Sequence, residues 1–281
     1  MARQFMLVDV FGQGPFTGNP LAVITDADEL DTETMQQIAR WLNLSETAFL
    51  LRPTDARADY RVRIFTLDRE MPFAGHPTLG SCHAWLAGGG RTRHGERVIQ
   101  ECGVGLVEVR HASGSLAFAA PPLIRGGPVE ESILFEIAEI LRIDQNSIVD
   151  SQWVDNGPGW VGVMLGSAEA VLGLEPVRHH HRRVDLGVVG AYGPGADAAF
   201  EIRALFSDHH GNLVEDPVTG SLNASVAQWL FSTGRAHGAY VAAQGARAGR
   251  SGRIQIERDE TGQIWVGGRT TTMFSGETGA W

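Results

Sequence analysis

The chain has 281 residues, of which 43% are hydrophobic and 20% are charged, and its formal net charge at pH 7 is −10. This length suffices for one large domain or for two domains of about 140 residues. An acidic chain without a basic stripe is poorly suited to phosphate backbones, so nucleic-acid binding is not expected. No apolar run reaches the roughly 20 residues of a membrane helix. A strand pattern begins almost at the N-terminus, so neither a signal peptide nor a membrane partner is expected.

The two cysteines, Cys82 and Cys102, do not have the spacing of metal ligands. We therefore expect reduced thiols and a cytoplasmic protein. Neither cysteine is placed as a nucleophile that a base would activate, which argues against thiol catalysis. The glycine-rich loops lack the lysine of a Walker loop, and no dinucleotide fingerprint is complete, so no cofactor is predicted.

The first half of the chain is predicted to begin with a strand at 4–11, a turn-rich loop at 12–20 and a strand at 21–24. A helix follows that Asp31 or Thr32 can cap and that ends at Asn43. Its predicted buried face consists of Met35, Ile38, Ala39 and Leu42. The further strand patterns are at 47–51, 60–65, 98–101, 105–110 and 115–119.

Paired prolines, Pro121 and Pro122, mark the best boundary candidate, because proline fits neither a helix interior nor a ladder. The sequence thus predicts one domain at 1–120 and a second at 121–281, with the last strand able to pack back on the first domain. The second half contains a helix with Ile133, Ile137, Ile140 and Leu141 inward and a short helix capped by Ser167. Its strand patterns are at 149–154, 160–165, 200–206, 240–244, 253–257 and 264–266.

Two stretches repeat one design, in which a strand pattern leads through a glycine-containing loop into an apolar helix pattern. The first loop contains Gly75 and His76, and the second contains Asp216, Gly220 and Ser221. Free N–H groups and the positive end of the dipole make such a helix start suitable for an anion. The repetition predicts a duplicated fold that holds a ligand between its halves.

The helix patterns that follow the two loops are apolar on nearly every face, at 79–86 and 222–230. A helix of this kind is buried all round, and among so many strands it is expected to lie inside a curved or closed sheet. Strands and helices do not alternate regularly. The sequence therefore predicts an α+β fold of two similar domains, each a curved or barrel-like, mostly antiparallel sheet around a central buried helix.

Four polar residues are candidates for chemistry, and each has a plainer alternative. Glu46 is either a solvated turn carboxylate or a partly buried carboxyl, with a raised pKa, that acts as general acid and base. His76 and Asp216 are either helix-start residues or proton donors and acceptors, and Ser221 is by default a first-turn residue. Their placement in two matching loops favours an anion cradle flanked by proton-transfer groups.

Two histidine-rich stretches are less favoured as sites. The run His179 to His181 looks like a set of metal ligands, but consecutive residues do not easily converge on one ion. A solvated loop is the preferred interpretation, and we treat Asp208, His209 and His210 in the same way. No metal site is predicted.

Several motifs resemble those of the PhzF-like (phenazine biosynthesis) isomerases, which have the diaminopimelate epimerase fold. They span most of the chain in the order of that family. The matching stretches are Asp9-Val10-Phe11, Thr17-Gly18-Asn19-Pro20, Asn43-Leu44-Ser45-Glu46-Thr47, Arg63-Ile64-Phe65-Thr66, Pro72-Phe73-Ala74-Gly75-His76-Pro77, Asn156-Gly157-Pro158 and Glu215-Asp216-Pro217-Val218-Thr219-Gly220-Ser221.

The resemblance implies an active site in the cleft between two domains, and a homodimer as the usual assembly. It implies that Glu46 is the proton-shuttling acid and base, with His76, Asp216 and Ser221 as its polar partners. Backbone at Gly75 and Gly220, together with Ser45, is implied to bind the substrate carboxylate. The related epimerases place a cysteine in each loop, where this chain has Ala74 and Asp216, so two-cysteine racemisation is disfavoured.

The favoured hypothesis is a cofactor-independent isomerase that shifts a proton and a double bond in a small cyclic carboxylic acid. The type substrate of the resembled family is trans-2,3-dihydro-3-hydroxyanthranilate. One alternative is an epimerase or racemase at an α-carbon, which normally needs two bases on opposite faces; Glu46 and Asp216 are the candidates. The other is a non-catalytic module that binds a metabolite.

Overall fold

A computed structural model of the protein describes residues 2–112, 115–208 and 210–279. The chain forms two compact units, the first from Met1–Ala119 with Gly267–Trp281 and the second from Ala120–Val266. Residues 267–281 thus belong to the first unit. Within the described ranges, no helix is long and apolar enough to cross a membrane.

The first unit combines a mixed sheet with two helices that differ in burial, α1 (Thr32–Leu42) and α2 (Gly75–Ala87). Its strands before the boundary are β1 (Gln4–Val10), β2 (Asn19–Ile24), β3 (Thr47–Leu51), β4 (Tyr60–Phe65), β5 (Glu70–Met71), β6 (Arg97–Cys102), β7 (Gly105–Ala112) and β8 (Ser115–Ala119). β1 pairs antiparallel with β2, β2 parallel with β3, and β3 antiparallel with β4. β4 then pairs antiparallel with β5 and parallel with β6, and β6, β7 and β8 form an antiparallel meander.

The second unit contains the helices α3 (Glu131–Leu141), α4 (Ala168–Leu172) and α5 (Gly220–Ser232). Its strands are β9 (Arg125–Gly127), β10 (Ile148–Asp155), β11 (Val161–Leu165), β12 (Asp185–Ala191), β13 (Phe200–Ser207), β14 (Leu213–Asp216), β15 (Tyr240–Gln244), β16 (Gly252–Arg258) and β17 (Ile264–Gly268). After β17, the strand β18 (Thr270–Glu277) pairs antiparallel with β1 in the first unit.

The second unit repeats the pairing order of the first. β10 pairs antiparallel with β11, β11 parallel with β12, and β12 antiparallel with β13. β13 pairs antiparallel with β14 and parallel with β15, which pairs antiparallel with β16. Even the flanking strand is repeated, because β9 lies beside β10 as β18 lies beside β1. The predicted α+β fold class is confirmed.

The helices that follow the two glycine loops are buried, as their apolar sequences predicted. α2 packs against β1, β2 and β8. A Cβ at Gly80 would lie 2.5 Å from Cδ2 of Leu21, so a larger residue there would force this buried side chain to move. α5 buries Trp229, which is 1% exposed, against Gly162 of β11. Neither helix has a wide polar face, since burial on all sides removes the need for one.

The other helices are amphipathic and cover the sheets with one face. α1 buries Met35 and Ala39 in a cluster with Phe49 and Phe65. Its predicted limits are confirmed, because Asp31 Oδ1 accepts a hydrogen bond from the Thr34 N–H, and the C-cap is Asn43 in the left-handed region. The predicted Ser167 cap of α4 is confirmed in the same way by a bond from the Ala170 N–H.

The strand predictions were incomplete: β5, β9, β12, β14 and β18 were not predicted, and the first predicted strand was too long. β1 ends at Val10 instead of Phe11, because Phe11 has φ 67°, a value that breaks an extended strand. The sequence analysis did not predict β12, whose Gly187 and Gly190 weaken a strand pattern. The structure gives the reason for one glycine, since a Cβ at Gly187 would lie 2.5 Å from Cδ1 of Leu222 in α5.

Candidate active site

Glu46 lies in the short turn between α1 and β3, directly before the first residue of that strand. Its side chain is 19% exposed, and Oε2 lies 3.5 Å from Nε2 of His76. The carboxyl is therefore partly buried beside an imidazole, which differs from the solvated turn that was one of the two interpretations. Ser45, the residue before it, is exposed.

His76 is the second residue of α2, and its side chain is only 4% exposed. Burial lowers the pKa of His76 to about 3, so the imidazole is neutral near pH 7. Its contact with Glu46 is therefore not an ion pair. A neutral imidazole has one N–H donor and one acceptor nitrogen, and neighbouring groups decide which is which.

Asn19 contacts the other ring nitrogen of His76. Its amide Nδ2, which can only donate, lies 3.5 Å from Nδ1 of His76. Nδ1 is then the acceptor, and the proton is on Nε2, which faces Oε2 of Glu46 at 3.5 Å. The two atoms are therefore in contact at a distance longer than an ordinary N–H···O hydrogen bond.

The loop before Asn19 is fixed by a buried carboxylate. Asp9 accepts hydrogen bonds from the N–H groups of Thr17 at 3.0 Å and Gly18 at 2.8 Å. Gly18 is required there, because a Cβ would lie 2.1 Å from the carbonyl oxygen of Val10. Sequence reasoning matched this stretch to a family motif but did not assign Asn19 to the site. The available signal was an asparagine directly after a glycine in a turn-rich loop.

The start of α2 is suited to an anion. The first helical hydrogen bond runs from the Thr78 N–H to the carbonyl of Ala74, and no side chain caps the helix. The N–H groups of Gly75 and His76 precede that bond, and Pro77 contributes no N–H. Gly75 is buried, so the peptide groups at this helix start are shielded from bulk water. They are oriented with the positive end of the dipole.

In the second unit, Asp216 ends β14 and lies one loop before α5. The hydroxyl of Thr219 donates a 2.5 Å hydrogen bond to Oδ2 of Asp216. Gln244, which is 1% exposed, holds this loop. Its Nε2 donates to the Asp216 carbonyl at 3.1 Å and to Thr219 Oγ1 at 2.9 Å. Its Oε1 accepts from the Thr219 N–H at 3.0 Å and from Asn223 Nδ2 at 2.8 Å.

Ser221 occupies in α5 the helix position that His76 occupies in α2, and Gly220 before it is buried. Trp160 Nε1 donates to Ser221 Oγ at 3.3 Å, and Asn156 Nδ2 donates to the Ser221 carbonyl at 2.8 Å. Sequence reasoning did not assign Trp160 or Asn156 to the site. The only signal was the Asn156-Gly157-Pro158 motif, whose turn brings the asparagine to the helix start.

The remaining sequence candidates are placed differently. Burial raises the pKa of Cys82 to about 12, which makes this thiol unreactive. His180 and His181 do converge, with Glu136 of α3 as a third group, so the argument from consecutive residues was wrong. His179 is exposed outside this group. His209 lies outside the described residues.

Comparisons with known proteins agree with this fold. The family profile "Phenazine biosynthesis-like protein" matches residues 8–276. "Antisense-enhancing sequence 1" from Schizosaccharomyces pombe is 34% identical over 98% of this chain and 98% of its own length. Trans-2,3-dihydro-3-hydroxyanthranilate isomerase from Pseudomonas chlororaphis is 32% identical over the same shares. A solved PhzF-family structure from Enterococcus faecalis has a TM-score of 0.80 over 100% of both chains, at 24% identity.

These matches and the duplicated α+β fold show that the protein is an isomerase. More particularly, the chain belongs to the phenazine biosynthesis-like (PhzF) family. The resemblance inferred from the motifs is thereby confirmed.

Proposed function

We propose that this isomerase moves one proton, and with it a double bond, within a small cyclic carboxylic acid, without a cofactor. The observation that carries the proposal is the pairing of a partly buried Glu46 carboxyl with a buried, neutral His76 at 3.5 Å. A carboxylate beside a neutral imidazole retains its basicity, whereas an imidazolium would hold it in an ion pair.

In the proposed reaction, Glu46 takes a proton from a ring carbon as the general base. The electron pair left on that carbon shifts the double bond along the ring. Glu46 then returns the proton, as the general acid, to the carbon at the far end of the shifted system. With substrate bound, the 3.5 Å contact between Nε2 of His76 and Oε2 of Glu46 is proposed to shorten to a hydrogen bond that positions the carboxylate.

The substrate carboxylate is proposed to bind at the uncapped helix starts. Gly75 and Gly220 are buried and offer N–H groups with the positive end of a helix dipole behind them. Ser45 and Ser221 add hydroxyl groups, and Asp216 is proposed as a proton donor to the charge that develops in the ring. The hydrogen bond from Thr219 supports an oriented Asp216 side chain.

The first substrate to test is trans-2,3-dihydro-3-hydroxyanthranilate, because relatives at 32–35% identity are named as isomerases of this compound. The reaction should be run in D₂O and followed by proton NMR, with other small cyclic and amino acids in parallel. We expect the double bond to shift and solvent deuterium to enter at the carbon that receives the proton. Absence of both for every acid tested would contradict the proposal and favour a metabolite-binding module.

Epimerisation or racemisation remains the alternative chemistry, since each half of the duplicated fold carries a carboxyl near a helix start. It predicts deuterium at an α-carbon together with a change in optical rotation and no shift of a double bond. Measuring the optical rotation of the same reaction mixtures therefore separates the two isomerases.

A homodimer is proposed from the family resemblance. Sedimentation equilibrium should give about twice the chain mass of 30.3 kDa. A mass of one chain over the micromolar range would contradict it.

A further inference from the structure

We propose that Glu136, His180 and His181 form a binding site for a divalent metal ion of the zinc type on the second unit. One ligand atom from each of the three side chains lies within 4.8 Å of the other two. Imidazole nitrogen and carboxylate oxygen are both ordinary zinc ligands, and sites with three protein ligands complete their coordination with water.

The three groups come from two separate segments of the second unit. Glu136 is on α3, whose apolar face, including Ile137 and Ile140, packs into the core beneath it. His180 and His181 lie in the connection between α4 and β12, where their ring centroids are 4.4 Å apart. The connection is not an extended strand at these residues, so the two neighbouring side chains do not point to opposite sides.

The closest pair already has the spacing that a metal requires. Nε2 of His180 lies 3.4 Å from Oε1 of Glu136. Two ligand atoms that are each about 2.1 Å from a tetrahedral ion are about 3.4 Å apart. His181 is exposed, so a rotation of its side chain can bring the third ligand atom closer without disturbing the core.

Neighbouring groups set the hydrogen bonding of the same ligand atoms. Nδ1 of His180 lies 3.3 Å both from the backbone N–H of Arg182, which donates to it, and from the carbonyl oxygen of Arg182. Metal binding at Nε2 requires the tautomer in which Nδ1–H donates to that carbonyl oxygen, which is the usual arrangement of a metal-bound histidine. Oε2 of Glu136 accepts a hydrogen bond from Arg182 Nη1 at 3.2 Å, which leaves Oε1 to face the ion.

Two arginines follow the histidines, and their charges would otherwise oppose a cation. Arg183 is paired with Asp185 at 2.7 Å, and Arg182 shares Glu136 with the site. Arg182 is 69% exposed, so solvent screens much of its charge. A bound ion would connect the α4–β12 segment to α3, and it would stabilise the folded second unit by mass action.

The test is a Zn²⁺ titration of untagged protein freed of metal with a chelator, in competition with a chromogenic zinc indicator. We expect one ion per chain and a thermal unfolding midpoint that rises with Zn²⁺ concentration. Glu136→Gln, His180→Ala and His181→Ala should each weaken binding by at least about tenfold. The matched controls are His179→Ala in the same run and Glu139→Gln on the same helix, which should bind as the unchanged protein does.

Circular dichroism of each variant without metal separates lost binding from lost folding, and exposed His181 is the safest position. Failure of the unchanged protein to bind one Zn²⁺, or equal binding by His179→Ala and His181→Ala, would overturn the proposal. The result is independent of the proposed isomerase chemistry, because the readouts are metal binding and stability.

Discussion

The two glycine loops have the same backbone design and different chemistry. In the first unit Met71 lies opposite Ile64 across β4 and β5, and in the second Asp216 lies opposite Ala204 across β13 and β14. Asp216 therefore occupies the position of an apolar residue in the first unit. Although the fold is duplicated, a carboxyl is present at this position in the second unit alone.

The strand register also places two carboxyl groups at equivalent positions in the two units. The strand pairs that define it are Phe65 with Thr47 in the first unit and Leu205 with Leu186 in the second. The residues before Thr47 and Leu186 are Glu46 and Asp185, so these two acids occupy matching places. A duplicated pair of bases would be expected if register alone decided function.

The groups that contact these two acids are different, however. Asp185 accepts from the guanidinium of Arg183 at 2.7 Å, whereas Glu46 faces the neutral, buried imidazole of His76 at 3.5 Å. A bound guanidinium neutralises a carboxylate and occupies its oxygen atoms. We infer that the first unit kept a usable base and that the second converted the equivalent acid to a structural ion pair.

The most direct test of this difference compares the variants Glu46→Gln and Asp185→Asn. Both changes remove basicity at nearly constant volume, and only the first should remove the proposed shuttle. We expect Glu46→Gln to lower turnover by about 10²–10⁴-fold and Asp185→Asn by less than about tenfold. Initial rates on the purified variants, with melting temperature as the folding control, test this. Equal losses in the two variants would mean that the matching positions are equivalent after all.

A buried glutamine beside each loop, Gln244 or Gln100, allows the stability of the two loops to be compared. Gln244 makes four hydrogen bonds in the second loop, whereas Gln100 accepts from the Tyr60 hydroxyl at 2.9 Å and donates to Thr78 Oγ1 at 3.1 Å. Each buried polar group left without a partner costs about 1–3 kcal/mol.

Gln244→Leu should therefore lower the free energy of unfolding by about 3 kcal/mol or more, and Gln100→Leu by roughly 2 kcal/mol. Urea unfolding of both variants at one pH measures the difference. A larger loss for Gln100→Leu would show that the first loop depends more on its glutamine than these two hydrogen bonds indicate.

His76 makes the first loop sensitive to acid, a property that Ser221 cannot give the second. The folded-state pKa of His76 is about 3, and its ordinary value is 6.5. Between these values the unfolded chain binds a proton that the folded chain does not, so stability falls as pH decreases.

From pH 7 to pH 5 the loss assigned to His76 is on the order of 2 kcal/mol. His76→Asn should remove this part of the acid dependence, while the same change at exposed His111 should leave it. Urea unfolding at several pH values tests the prediction, which fails if the slopes of the His76→Asn and unchanged proteins coincide.

Asp216→Asn is expected to lower turnover much less than Glu46→Gln. Asparagine can still donate to developing charge and accept from Thr219, so we expect a loss of roughly tenfold. Comparison of kcat with KM shows whether the loss is in chemistry or in binding. A loss as large as that of Glu46→Gln would make Asp216 a second proton carrier and would favour the epimerase alternative.

The sequence predicted those features that depend on neighbouring residues. The limits of α1 followed from Asp31 and Asn43, and the burial of α2 and α5 followed from their lack of a polar face. It did not predict β12, because glycine at position 187 is unfavourable in an isolated strand pattern. The reason for Gly187 is the close packing of Leu222 of α5, which is a tertiary contact. The sequence analysis also rejected His180 and His181, because consecutive residues were not expected to converge, and Glu136, whose carboxylate lies near both, is distant in the chain.

The sequence by itself determined the α+β class, the family and the two glycine loops, since periodicity, caps and motifs are properties of local chain chemistry. Only the tertiary structure decided which acid faces a neutral imidazole and which faces a guanidinium. Glu46 and His76 are 30 residues apart, and Asn19, which contacts the imidazole, is 57 residues before His76. Contacts over such separations depend on strand register and helix packing, and these set the chemical character of a side chain after folding.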